Sequence, residues 1–281
     1  MARCVFTEYP KIGCDTMPTN DQRESLTLLK LVHVGILVSL LWKVQFFRYF
    51  VSVHQEFPVL DLFFPVFFRS QQVLVAAYSL SVLGSLLILV LRSKPHIVVL
   101  GAISTIGLSI LCLHQSAYND VTFLCCAWTS VWCLWFASRL GESFETLFPR
   151  AVWLSHLVLS LIFIGGVVGM FSPGYWSGEV LYEIYFKERD FWIYNLLRNS
   201  MTEEALRNAA MWHSRMVICS ELACSFLWLM PRKMASVVAI VVLCGIALTN
   251  NLFLFSVVSC LIGLALVGLH ERKQVQPAES S

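Results

Sequence analysis

The sequence predicts an all-α fold, a polytopic membrane helix bundle of about eight transmembrane helices with an interfacial amphipathic helix. Three observations carry this. Hydrophobic residues make up 57% of the 281 positions and charged residues only 14%, against roughly 25% charged in soluble domains. The apolar residues fall in runs of about 20, the length that crosses the hydrocarbon core of a bilayer. Lys and Arg recur at alternate short turns between those runs, as they do where turns alternate across a membrane. A net charge of +2 without a Lys/Arg run leaves no nucleic-acid surface. The expected partner is the lipid bilayer, with membrane-protein partners possible.

Taken in order, residues 1–25 are polar, contain Pro10 and Pro18, and lack the early apolar core of a cleaved signal. They are expected to form a cytoplasmic tail, followed by a transmembrane domain at 26–270 and a cytoplasmic tail at 271–281. Spans are expected at 26–47, 72–91, 95–113, 121–138, 151–171, 211–230, 234–249 and 251–269. The last two are joined only through Thr249-Asn250-Asn251, so a count of seven stays open. Residues 57–68, FPVLDLFFPVFF, are too short to cross and hold Pro58 and Pro65, which suits an interfacial or re-entrant piece.

Orientation follows from the short turns. Arg92 and Lys94, Arg139 and Arg150, Arg232 and Lys233, and Arg272 and Lys273 mark one side, while 114–120 and 249–251 contain no Lys or Arg. This predicts a multi-pass protein of the cell membrane with both termini cytoplasmic. Segments 48–71, 114–120, 172–210 and 249–251 then share the outer face. Of the ten cysteines, Cys4 and Cys14 lie in the tail. The others fall in apolar stretches, where a thiol behaves as a small hydrophobe. No Cys/His spacing matches a metal site.

The exit of the fifth span concentrates unusual residues. Gly165 and Gly169 have the small-residue spacing that lets helices approach closely. Ser172-Pro173-Gly174 stops the helix, and Tyr175 and Trp176 suit the aromatic belt. In 179–199, Leu181, Tyr185, Trp192 and Leu196 fall on one helical stripe away from Glu183, Lys187, Asp190 and Arg198. That pattern predicts an amphipathic helix lying flat on the membrane or over the bundle ends. Ser200-Met201-Thr202-Glu203 has capping-box spacing and is expected to start the next helix.

Ionisable residues at bilayer depth are candidates for function. Glu221 falls mid-way along the sixth span, sharing a face with Ser214, Ser225 and Trp228. Arg215 lies roughly 120° round that helix. Glu221 is expected to be protonated, or hydrogen-bonded to hydroxyl or indole donors of a neighbouring helix. Proton carrier, substrate contact and packing staple all remain open for it. His114, Asn119 and Asp120 gather at the outer boundary, where His and Asp suit acid–base work. With His213 as a second imidazole they still fall short of a metal site, and Asp120 can equally cap the fourth span. His33, His96 and His156 read as ordinary helix or turn histidines. No nucleotide loop, G-x-S-x-G, H-E-x-x-H or haem signature occurs.

Three stretches, HQSAYNDVTFLCCAWTSVWCLWFASRLGES, LIFIGGVVGMFSPGYWSGEVL and CSELACSFLWLMPRKMA, resemble the horizontally transferred transmembrane (HTTM) domain. This is the vitamin K-dependent gamma-carboxylase-like family, with a more distant likeness to the DoxX group. The resemblance covers about 70 to 270, and the matching positions are Asn119, Trp176, Gly178, Glu221, Pro231 and Arg232. It implies a membrane domain that handles a quinone-like or lipid-like molecule under the outer face, with Asn119, Trp176 and Gly178 as candidate binding positions. The carboxylase member uses vitamin K hydroquinone, oxygen and carbon dioxide, with a lysine base after the small-residue helix. Here Val167-Val168-Gly169-Met170 stands in that neighbourhood, without a lysine. A reaction is therefore unassigned. Three readings stay open: a ligand-holding membrane protein of this family, a membrane redox or carboxylation-type enzyme with Glu221, His114 or Asp120 as acid or base, and a non-catalytic partner subunit.

Overall fold

The computed structural model describes residues 20–56, 67, 70–113, 121–249 and 254–270. All regular structure among them is helical. The long elements are α1 (Asn20–Trp42), α2 (Val44–Glu56), α3 (Gln71–Val90), α4 (Lys94–Leu113), α5 (Thr122–Ser138) and α6 (Phe144–Met170). After a stretch of short turns come α7 (Trp192–Ser200), α8 (Glu203–Cys224), α9 (Arg232–Thr249) and α10 (Phe255–Val267). Five helices are long and apolar enough to cross a membrane: α1, α3, α4, α6 and α9. α5 and α10 are apolar but shorter, at 17 and 13 residues. Leu80, Leu83, Leu86, Leu87 and Val90 stand exposed on α3, and Val237, Val241 and Leu248 on α9. An apolar surface of this extent belongs against lipid, and the protein is an integral membrane protein.

The bundle closes around α1, α5 and α10. α1 packs on α10, α3 and α5, and α4 sits between α3 and α5. Close approach comes from small residues. A methyl at Gly35 would lie 2.7 Å from the Ser259 carbonyl oxygen, and one at Gly107 would lie 2.7 Å from that of Ala77. Buried hydroxyls turn back onto their own helices and then reach across. Ser39 donates to Gly35 O (2.8 Å) and Ser256 O (2.5 Å), and Thr105 to Gly101 O (2.8 Å) and Ser130 O (3.2 Å). Trp132 Nε1 donates to Ala151 O at 3.0 Å, and His156 Nε2 pairs with Ser236 Oγ at 3.0 Å. Polar groups in an apolar bundle gain from partners inside it, because lipid offers none, although the buried hydroxyls of Ser85, Ser104 and Ser160 have none among the described residues.

Several element boundaries differ from the sequence reading. The first span ends at Trp42 rather than running to 47. The Leu40 carbonyl accepts both the Lys43 N–H (3.0 Å) and the Tyr78 hydroxyl, and the chain restarts as α2 with Phe47 stacked on Tyr78 at 4.1 Å. A side chain entering the backbone ladder is a recognised cause of a helix break. α6 begins at Phe144, ahead of Pro149, because the Asp21 carboxylate of α1 accepts the Phe144 N–H at 3.3 Å. The helix expected at 211–230 starts earlier, at Glu203, and ends at Cys224, followed by a 3₁₀ turn at Leu227–Leu229. Its cap is Thr202, whose hydroxyl accepts the Ala205 N–H at 3.4 Å, whereas Ser200 closes α7. The interfacial piece at 57–68 lies outside the described residues apart from Phe67, as do the tails at 1–19 and 271–281.

The continuous amphipathic helix expected at 179–199 is broken. Glu179–Leu181 runs into a π-helical turn, Tyr182–Lys187, and α7 starts afresh at Trp192. Arg198 holds the break, donating to Phe186 O and Arg189 O at 2.8 Å each. Tyr182, Phe186, Tyr194, Leu206 and Ala210 form a small apolar core of their own, distinct from the core of the bundle. These segments therefore build a cap, with Leu181 buried and Trp192 and Leu196 exposed, rather than one flat stripe.

Gly107→Ala is expected to destabilise the bundle by about 1–3 kcal/mol through overpacking. Gly245→Ala, where nothing lies within 4 Å, is expected to be neutral or to stabilise by up to about 1 kcal/mol. Denaturant titration in mild detergent, followed by circular dichroism, checks the pair.

Candidate functional site

Beneath the cap lies a cavity of about 680 Å³. Its walls are the ends of five helices. α5 contributes Leu124, Cys125 and Trp128, and α6 contributes Leu161, Phe163, Gly165, Gly166 and Met170. α9 and α10 add Leu243, Ile246, Val257 and Leu261, and the cap roofs it with Tyr175, Leu181, Ile184, Tyr185 and Tyr194. The last wall is a stripe of α8: His213, Val217 and Glu221. Steps of four residues keep these three side chains on one helical face, and eight residues span roughly 12 Å along the axis. His213 therefore stands near the roof and Glu221 about two turns deeper.

Glu221 is buried, at 8% exposure. Its nearest wall is Gly166, where a Cβ would lie 3.0 Å from Glu221 Oε2. The close approach on α6 occurs at this glycine. At Gly165 and Gly169, whose spacing suggested a helix contact, nothing lies within 4 Å. The hydroxyl and indole groups that share a face with Glu221 in the sequence reading are engaged or directed elsewhere. Ser214 donates to Tyr175 O at 2.6 Å, Ser225 donates to the Glu221 backbone carbonyl at 3.0 Å, and Trp228 lies past the end of α8 and is exposed. Among the described residues, the Glu221 carboxyl has no hydrogen bond or ion pair. It is also the one acid among the lining residues, which include no Lys or Arg. Arg215 points away, over the Trp212 ring at 5.4 Å and onto Trp176 O at 3.4 Å.

The roof is tied down at both ends. Gly178 is buried at φ +80°, and a Cβ there would overlap the backbone of Ala210 and Met211. Only glycine fits both the left-handed conformation and this contact. At the other end the Tyr194 hydroxyl donates to Thr249 O, the last carbonyl of α9, at 2.8 Å. Burial pushes the Tyr194 phenol up to about 12, with Tyr185 adding to the effect. Burial likewise raises Tyr185, against the opposing pull of Arg189. Both phenols keep their protons at neutral pH and serve as donors.

Of the sequence candidates, Glu221 and His213 line the cavity together. Trp176 lies beside the roof, 6.4 Å from the Phe171 ring and 40% exposed, and is not among the lining residues. Gly178 anchors the cap. His114, Asn119 and Asp120 lie outside the described residues. Among the described residues no group of three or more His, Cys, Asp or Glu could hold a metal ion. The roof tyrosines were missed by sequence reading, although the i, i+4, i+8 pattern of His213, Val217 and Glu221 was there to be read.

Gly178→Ala is expected to cost about 1–2 kcal/mol for the left-handed backbone alone, with the steric overlap added. Limited proteolysis should then cut within 182–200 faster than in the native protein, and unchanged cleavage would remove the anchoring role. Comparison of the chain with protein-family models, curated proteins and solved structures finds no match.

Proposed function

We propose that this is a multi-pass protein of the cell membrane, related to the HTTM and gamma-carboxylase-like domains, that holds a lipid-like or quinone-like molecule in the cavity under its cap. The single observation that supports this reading is a buried carboxyl without a partner in an otherwise apolar cavity. A carboxyl facing an apolar cavity without a protein partner is costly to retain. A packing residue would be apolar here. A group retained at that cost is better understood as one whose partner arrives with a ligand. The volume, about 680 Å³, falls in the range of small-molecule sites, which pair apolar walls with few polar groups.

A second reading, a membrane enzyme acting on the same ligand, is favoured by one further observation: His213 and Glu221 share the cavity wall. The pair would let Glu221 act as base with His213 passing its proton toward the cap. The basic turns support the orientation. Arg92, Lys94, Arg150 and Lys233 lie exposed on turns at the far ends of the helices that reach the cap, and the positive-inside rule then favours a cap on the outer side.

Protein purified in mild detergent should carry a co-purifying apolar molecule, detected by extraction and mass spectrometry at close to one per chain. Val217→Trp, which fills the wall between His213 and Glu221, should remove it without loss of helicity, and an unoccupied native protein would refute the reading. For orientation, a cysteine introduced at Ser177 should react with an impermeant maleimide on intact cells, and one introduced at Ser93 only after permeabilisation. The reverse pattern would overturn the topology.

A further inference from the structure

We infer that the occupant of this cavity is a single-chain amphiphile whose head carries an ammonium group, seated against Glu221, and that it carries no phosphate. The inference rests on the ligand-cavity reading and names the ligand class for the same site. Three observations carry it. Glu221 is more than nine-tenths buried, faces the cavity and has no partner among the described residues. Among the described residues the lining includes no second acid and no Lys or Arg, His213 being the one other titratable nitrogen. Among those residues the occupant therefore meets one uncompensated acid and no permanent cation that would hold a phosphate or a carboxylate. Finally, the aromatic Trp128 lines the same space below the roof, and aromatic faces attract cations.

The chemistry separates the possible occupants. A carbonyl or ether head brings only acceptors, which a protonated Glu221 can meet with one neutral hydrogen bond and an ionised one cannot. An alcohol brings one neutral donor. An ammonium brings several donors together with the opposite charge, and charge-assisted hydrogen bonds are about twice as strong as neutral ones. A diacyl lipid with an amine head would also bring a phosphate into a wall without a basic side chain, where desolvation of the phosphate has nothing to offset it. The rest of the lining includes Leu161, Leu243 and Leu261, which suits a hydrocarbon tail.

The test is equilibrium binding of radiolabelled dodecylamine, dodecan-1-ol, dodecanoate and a dodecanoyl lysophosphatidylethanolamine to the full-length protein in nanodiscs at pH 7, with empty nanodiscs subtracted. Dodecylamine should bind at least about tenfold tighter than the alcohol, a difference of about 1.4 kcal/mol, with the acid and the lysophospholipid weakest. Glu221→Gln should bring amine binding down to the level of the alcohol, and Val217→Trp should abolish all binding. Alcohol binding equal to that of the amine, or an amine preference that survives in Glu221→Gln, would overturn the inference while leaving the ligand-cavity reading in place. A lysophospholipid that binds as tightly as the amine would overturn the phosphate-free class. Binding of all four chains that persists in Val217→Trp would overturn both the inference and the reading beneath it.

Discussion

The organisation of this protein depends on a single constraint: a polar group inside an apolar bundle must find its partner within the bundle. The membrane helices meet it through hydroxyls. Ser39, Ser81, Thr105 and Ser109 each donate to a carbonyl four residues earlier, so a side chain that would be a liability in lipid becomes neutral. Because the hydroxyl is short, its helix face stays flat, and a glycine opposite lets another helix approach. Ser39 reaching Ser256 O while Gly35 meets the Ser259 carbonyl shows both devices at one crossing. Packing and hydrogen bonding are here the same contact, which explains why α1 and α10 run closely together despite the shortness of α10.

Glu221 departs from this rule, as do the Ser85, Ser104 and Ser160 hydroxyls, and the elements around Glu221 leave its carboxyl facing the cavity. α8 is the long helix whose composition differs from the rest, with Glu203, Glu204 and Arg207 in its first turns and Glu221 near its end. It emerges from the bundle and carries the cap on its exposed half, where Leu206 and Ala210 pack with Tyr182, Phe186 and Tyr194. The cap is thus a small soluble-type core mounted on a helix whose lower half is a cavity wall. Exposed ion pairs on it, such as Arg207 with Glu179 at 3.3 Å and with Glu203 at 3.2 Å, are screened by solvent and contribute little. Its attachment comes instead from Gly178 against the α8 backbone and from the Tyr194 hydroxyl on Thr249.

The class of the fold was legible because span length and basic turns are properties of local composition. Glu221 was legible for the same reason, since a carboxylate in an apolar run stands out without knowledge of its neighbours. What could not be read depended on distant residues. The break after Trp42 needs the Tyr78 hydroxyl on Leu40 O, and the start of α6 needs Asp21 on the Phe144 N–H. The amphipathic stripe at 179–199 assumed an unbroken helix, and nothing local shows that Arg198 holds the chain open at Phe186 and Arg189. The motif that singled out Gly178 had a steric basis unrelated to ligand contact. Of the roof tyrosines, Tyr185 belonged to that stripe, Tyr175 was read as aromatic belt and Tyr194 was not singled out, so their convergence on the cavity was hidden.

Gly166 shows how the two halves of the site were made compatible. A small residue on a membrane helix ordinarily brings another backbone close, as Gly35 and Gly107 do. At Gly166 the space is taken by a carboxyl oxygen, which a Cβ would approach to 3.0 Å, while Gly165 and Gly169 meet nothing within 4 Å. The glycines of α6 therefore thin that helix where it borders the cavity instead of docking it against a neighbour. An alanine at 166 would press on the Glu221 carboxyl, whereas a leucine at 165 would occupy part of the cavity itself. The missing side chains of α6 and the unpaired carboxyl of α8 are thus two sides of one feature, a space kept open opposite a group that lacks its partner.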